Sequence, residues 1–133
     1  MSDIRFEKWR ARAQQARTDW PAFIDGRTMP ALSGEQFPMT DPATGKVWAQ
    51  VASCSDADID LAVKSARAAF EDRRWAGLKP RERKATLLRL AELMRENREE
   101  LALLETLSVG KPIAQALSID LRAAPDAIAY YAE

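Results

Sequence analysis

Asn97-Arg-Glu-Glu-Leu-Ala-Leu-Leu-Glu-Thr-Leu-Ser-Val-Gly-Lys-Pro112 is the stretch whose reading decides the fold. Leu101, Leu104 and Leu107 recur at helical spacing and predict a core-facing stripe. Asn97, with Glu100 three residues later, reads as a capping box at the start. Acidic first-turn residues suit the positive end of the helix dipole. Gly110 sits where a helix closes through a left-handed residue, and Pro112 where it cannot simply continue. The stretch predicts a short helix with both ends specified.

Working outward, the same signals recur. Lys79-Pro80 opens the preceding helix with proline at its first position, and Leu87, Leu88, Ala91 and Met94 mark its buried side. Ser55 with Asp58 reads as another capping box. It is followed by Ile59, Val63, Ala66 and Phe70 on one apolar face. A last helix is expected from about Ser118 to the end, with a kink or restart at Pro125. Residues 4–18 read as a short charged helix with a weak stripe of Ile4, Phe6, Trp9, Ala13 and Ala16, ended by Trp20-Pro21. Residues 22–54 read as β. Phe23-Ile24 form a short strand before an Asp25-Gly26 turn. Gln36 to Thr40 form a second, where Pro38 favours an edge or a bulge. Val47 to Ala52 form a third, with Val47, Ala49 and Val51 on one face and Trp48, Gln50 and Ala52 on the other. In the linking Asp41-Pro42-Ala43-Thr44-Gly45-Lys46, Pro42 presets φ, Asp41 accepts local backbone hydrogen bonds and Gly45 takes positive φ.

The resulting order, a β-ribbon and then helices, is an α+β fold. We expect a helical extension over residues 1–20 and an incomplete part of a larger domain over residues 21–133. A two- or three-stranded ribbon is marginal alone, and each amphipathic helix needs a surface to cover. No large sheet is visible in the sequence, so a partner domain is expected.

Composition bounds the function. Twenty basic residues balance twenty acidic ones in 133, so no global field favours nucleic acid or an anionic membrane. No uncharged apolar run approaches a membrane span. The charged N-terminus lacks the apolar core of a signal peptide, and a single cysteine cannot form an internal disulfide. A cytoplasmic protein is the expectation. The sequence has no histidine, which excludes Ser-His-Asp and Cys-His nucleophile systems and any histidine metal site. It has no G-x-G-x-x-G and no P-loop.

Four constellations carry possible chemistry, and each has a plainer reading that we prefer. Cys54 near a helix start could be a reactive thiol, but without a histidine base it reads as a small residue at a strand end. Glu99, Glu100 and Glu105 could be paired acids, yet they read as dipole-favoured helix residues. Arg73, Arg74, Lys79, Arg81, Arg83 and Lys84 around Trp75 could be a nucleic-acid patch. With Glu71, Asp72 and Glu82 among them, they read as a solvated corner. Tyr130-Tyr131 could be a stacking platform and reads as core packing.

A resemblance carries more. Asp41-Pro42-Ala43-Thr44-Gly45 is similar to the Asn-Pro-Ala-Thr-Gly turn of aldehyde dehydrogenases. Asp58-Ile59-Asp60 with Ala66-Arg67-Ala68-Ala69-Phe70, then Trp75, resembles that family's first long helix and the tryptophan after it. Pro80 with Arg83, Leu87 and Leu88 resembles the next helix. Leu101 to Pro112 resembles its Glu-Leu-Ala-x-Leu-Glu-Thr-x-Asp-x-Gly-Lys-Pro segment, and Ile128 to Ala132 its Leu-Arg-Tyr-Tyr-Ala helix. The extension with Trp9 and the Tyr-Ala-Glu ending looks most like the gamma-glutamyl-gamma-aminobutyraldehyde dehydrogenases of polyamine catabolism.

The resemblance implies NAD(P)-dependent oxidation of an aldehyde to an acid by a cysteine nucleophile, with a glutamate as base for release by water. In the family these groups and the nucleotide-binding motifs lie beyond the segment corresponding to Glu133, and Cys54 is not in the catalytic context. The chain is therefore expected to be an N-terminal fragment, inactive alone and without NAD or NADP of its own. Its helices would flank a Rossmann-like sheet, and its partners would be the remainder of the chain and further subunits. The alternative is a free-standing helical module that binds full-length subunits. Ile119 and Ala123 match substrate-channel positions, small Ala123 leaving room for a long substrate. Met39, Thr40 and Ser108 match positions whose backbone carbonyls hold a structural monovalent cation in many members. Ser108 replaces an aspartate there, which removes the charge. Pro125 is a further departure from the family pattern.

Overall fold

The computed structural model describes residues 2–133, with side chains from Phe6 onward. The expected place of Ile4 on the N-terminal stripe lies outside the described side chains. In chain order the elements are α1 (Ser2–Gln14), β1 (Asp19–Trp20), β2 (Ala22–Ile24), β3 (Arg27–Met29), β4 (Gln36–Thr40), β5 (Val47–Ala52), α2 (Asp56–Glu71), α3 (Pro80–Glu96), α4 (Arg98–Val109), α5 (Ile113–Gln115), a π turn (Ala116–Asp120) and α6 (Leu121–Ala132). This is the expected α+β class. The chain divides into two bodies, one of Thr18–Thr40 and Val47–Pro80, the other of residues 1–17, Asp41–Lys46 and Arg81–Glu133.

In the first body, β5 is central in a sheet of order β1-β5-β4. It pairs antiparallel with β4 and parallel with β1. Pro38 therefore lies on an edge strand, where its missing N–H does no harm. The register steps from Met39 opposite Ala49 to Thr40 opposite Val47, so Trp48 is the extra residue of a bulge. The bulge interrupts the alternation expected along β5, leaving Val47 exposed while Ala49 and Ala52 are buried.

Strand β1 has no counterpart in the sequence expectation. The N-terminal helix stops at Gln14, and the Gln50 N–H donates to the Thr18 carbonyl at 2.8 Å. Two residues beside a proline carry no readable period. Strand β2 returns as β3 through Asp25 and Gly26, whose φ of 54° and 74° are those of a two-residue hairpin turn. Two of the three residues of β3 are polar, which is why only the turn was legible.

Helix α2 starts on a buried carboxylate. Asp58 is 1% exposed. Its Oδ2 accepts the Ser55 backbone N–H and the Ser55 hydroxyl, each at 2.8 Å. Its Oδ1 accepts the Leu32 N–H at 2.9 Å. The capping box is present as expected, and the same carboxylate also ties down a loop 26 positions earlier. The Ser55 N–H, and then the Leu32 N–H, hold this carboxyl below its ordinary value against the opposing effect of burial. The apolar face of α2 points outward, with Ile59 55%, Val63 59% and Phe70 69% exposed.

In the second body, Gly110 closes α4 at φ 76° and donates to the Thr106 carbonyl at 2.9 Å. A Cβ there would lie 2.9 Å from Pro42 Cγ. The 41–46 turn is thus packed on the helix end. It is held by its own Asp41, whose carboxylate accepts the Ala43 N–H at 2.9 Å and the Thr44 hydroxyl at 2.8 Å. Gly45 takes φ 69° as expected.

Four expectations are corrected. Asn97 separates α3 from α4 but forms no capping box. Its Nδ2 donates backward to the Leu93 carbonyl at 2.8 Å, closing α3 instead. The fully buried part of α4 is Ala102 and Leu103, while Leu101, Leu104 and Leu107 are half-buried. The reason is that α4 is packed by α1, the π turn and α6 together, which widens its buried side beyond one stripe. The last helix begins at Ile113, and its irregularity lies ahead of Pro125. The π turn ends in Leu121, whose ψ is 4° and whose N–H reaches back to Ala116. Pro125 cannot donate to the Leu121 carbonyl and its ring needs space there, so the helix restarts one turn earlier than expected. Tyr130 and Tyr131 are 74% and 83% exposed, stacked edge to face at 5.3 Å, and are not core. Helix α6 buries its Pro125 side instead.

Two predictions follow from these contacts. Gly45→Ala meets only the cost of positive φ, about 1–2 kcal/mol. Gly110→Ala adds the approach to Pro42 and should cost about 1–3 kcal/mol more, read as earlier loss of helical circular dichroism in urea; equal losses would contradict the contact. Because the Asp58 pKa is lowered on folding, its contribution is complete above the ordinary aspartate value of about 3.9. It is lost as pH falls through that value to the lowered one. The protection of the Leu32 amide, its exchange relative to the unstructured rate at the same pH, should fall on that acidification. In Asp58→Asn its exchange should be at least about tenfold faster near neutral pH.

Candidate functional site

The expected channel residues lie together in the second body. Ile119 is on the π turn, 55% exposed, and Ala123 is exposed in the first turn of α6. Ala127 and Tyr130, also exposed, continue the same spacing. Sequence reasoning passed over these two, although steps of four, four and three residues signal one face. The opposite side of this segment is anchored by Ala116 and Pro125, both fully buried. The strip is thus an outward apolar wall on a fixed backbone. The two carboxylates adjacent to it in sequence are already compensated, Asp126 by Arg95 Nη2 at 2.8 Å. Asp120 takes Lys111 Nζ at 2.7 Å on Oδ1 and 2.5 Å on Oδ2. Such a wall can shape and desolvate a ligand, but it carries no nucleophile or base.

The remaining candidates are placed as follows. Met39 and Thr40 end β4 in the first body, and Ser108 lies exposed in the last turn of α4 in the second. Among the described residues no group of three or more Cys, Asp or Glu is arranged to hold a metal ion. Cys54 is a free, exposed thiol between β5 and α2. Glu99 is engaged by Arg12 and Lys8, which hold its carboxyl below the ordinary range, Arg12 most. In the basic corner, Arg74 is bidentate to Asp72, with Nη2 donating to Oδ2 at 2.6 Å and Nε to Oδ1 at 3.1 Å. That pairing lowers the Asp72 carboxyl and raises the Arg74 guanidinium. The corner neutralises part of its own charge, which weakens a nucleic-acid reading. No helix among the described residues is long and apolar enough to cross a membrane.

Comparison with known proteins identifies the family. The profile of the aldehyde dehydrogenase family matches residues 29–133. An aminoacetaldehyde dehydrogenase of Pseudomonas aeruginosa is 50% identical over 112 residues, 84% of this chain and 23% of that protein. The crystal structure of gamma-glutamyl-gamma-aminobutyraldehyde dehydrogenase from Burkholderia cenocepacia superposes with TM-score 0.92 at 44% identity, covering 95% of this chain and 26% of that one. An indole-3-acetaldehyde dehydrogenase of P. syringae, solved with NAD+, superposes with TM-score 0.89 at 45% identity over 93% of this chain and 25% of its own. The chain thus spans about a quarter of the length of these relatives and matches the N-terminal part of their fold. It belongs to the aldehyde dehydrogenase family.

Proposed function

We propose that these residues are the N-terminal part of an NAD(P)-dependent aldehyde dehydrogenase that oxidises an amino-bearing aldehyde to its carboxylic acid. The observation that carries this is the family match together with the 50% identity to an aminoacetaldehyde dehydrogenase. The superposition on a gamma-glutamyl-gamma-aminobutyraldehyde dehydrogenase supports a polyamine-derived substrate. A second reading, an arylacetaldehyde, is favoured by the similar likeness to the indole-3-acetaldehyde enzyme.

In this proposal the chain supplies architecture. Ile119 and Ala123 form one wall of the substrate channel, with Ala123 leaving length for an extended substrate. NAD(P), when bound, accepts the hydride. The residues here do not fit it. The sequence has no glycine-rich phosphate loop. Among the described residues the parallel pairing of β1 with β5 is only two residues long, so no dinucleotide crevice is built. Cofactor, nucleophile and base therefore belong to other segments of the enzyme, and residues 1–133 alone are inactive. Residues 1–20 form an extension and residues 21–133 part of the enzyme domain, which works in the cytoplasm in an oligomer.

The test is a chimera in which residues 1–133 replace the matching quarter of the P. aeruginosa relative. It should reduce NAD(P)+ with aminoacetaldehyde more efficiently than with indole-3-acetaldehyde, while residues 1–133 alone reduce none. Ala123→Phe in the chimera should raise KM for long aminoaldehydes at least about tenfold and spare aminoacetaldehyde. Preference for the indole substrate would support the second reading. NAD(P)H formed by residues 1–133 alone, and lost on Cys54→Ser, would overturn the division of labour.

A further inference from the structure

We propose that α1 is a detachable strap, held on α4 by charge and released by salt. The contact centres on one carboxylate. Glu99 on α4 receives the Arg12 guanidinium on Oε2 and the Lys8 ammonium at 3.7 Å on Oε1. The same two cations flank Trp9, with Lys8 Nζ 5.7 Å and the Arg12 guanidinium carbon 5.1 Å from the ring centroid. The three side chains of α1 thus form a single patch against one acid.

Little apolar burial reinforces it. Phe6 is 63% exposed. Beyond Trp9, the contact side of α1 offers chiefly Ala13, and Ala16 follows just after the helix end, both half-buried. A cleft of 190 Å³, bordered by Arg12, Ala16, Leu103 and Leu104, remains where α1 ends. The Glu99 and Arg12 side chains are 45% and 34% exposed, so dissolved ions reach the pair. An interface of this make-up weakens with ionic strength, whereas a packed apolar one does not.

The comparisons give α1 its standing. It precedes the family match, which begins at residue 29. Yet a superposition covering 95% of the chain leaves too few residues outside to omit a helix of 13. Helix α1 is therefore an accessory to the family core that a solved relative shares. Its release would uncover Leu103 and Leu104 on α4, turning a closed helix side into an accessible apolar one.

Hydrogen exchange of residues 6–14 tests this, read at about 0.01 M and about 1 M sodium chloride, where the screening length falls from about 30 Å to about 3 Å. Protection of α1 in the unaltered chain should drop about two- to fivefold at high salt. Glu99→Gln should show that loss already at low salt and no further response, and Glu100→Gln should behave as the unaltered chain. Protection of α4, read in the same spectra, separates undocking from damage to α4. If Glu99→Gln harms α4, the double change Lys8→Gln and Arg12→Gln decides, since it alters only the strap. Salt-independent protection of α1, or a salt response that survives removal of the charges, would overturn the proposal.

Discussion

Large apolar side chains gain most by leaving water, and on α2 and α6 they stay in it. Full burial of an isoleucine, valine or phenylalanine is worth about 1.5–3 kcal/mol. Ile59, Val63 and Phe70 on α2, Ile119 on the π turn, and Tyr130 and Tyr131 on α6 are all more than half exposed. The buried apolar positions are mainly alanines: Ala31, Ala49 and Ala52 in one body, Ala91, Ala102 and Ala116 in the other. Small residues let backbones approach closely, but they contribute little hydrophobic stabilisation. Folded domains are stable by only about 5–15 kcal/mol, so outward faces of this size weigh heavily. This distribution suits a segment whose helices cover another part of a larger enzyme.

Within that constraint, polar contacts set the local geometry. The Asp58 carboxylate starts α2 and fixes the loop at Leu32, so one side chain orients the helix that carries an outward apolar face. The approach of Pro42 to Gly110 ties the hairpin turn to the end of α4. From there Lys111 reaches Asp120, which fixes the π turn that carries Ile119. The proposed channel wall is therefore positioned through a chain of polar and steric contacts, and its exposed side stays apolar.

The parts legible in the sequence are those with local causes. The Asp-Gly turn, the Ser55–Asp58 box, Pro80 at a helix start and the left-handed Gly110 all depend on residues within a few positions. Strands β4 and β5 were legible from their residue types and flanking turn signals. What escaped depends on tertiary partners. Strand β1 exists because β5 offers it an edge. Trp48 is bulged because of the register against β4. Asn97 was free to cap either helix and closes α3. The Tyr130-Tyr131 pair looked like core because apolar content does not say which side of a helix is covered. At the candidate site, Ile119 and Ala123 came from family resemblance; the spacing that continues to Ala127 and Tyr130 is in the sequence, and their exposure in the structure adds them to the strip.

The central claim is that the outward faces of α2 and α6 are surfaces which the rest of the enzyme covers. Binding of a hydrophobic fluorescent dye measures this directly, on residues 1–133 alone and on the same residues co-folded with the remaining three-quarters of the Pseudomonas aeruginosa relative. The account predicts strong dye binding by the chain alone, abolished on co-folding and weakened by Phe70→Ser. A chain that binds no dye alone, or binds it equally after co-folding, would contradict the account.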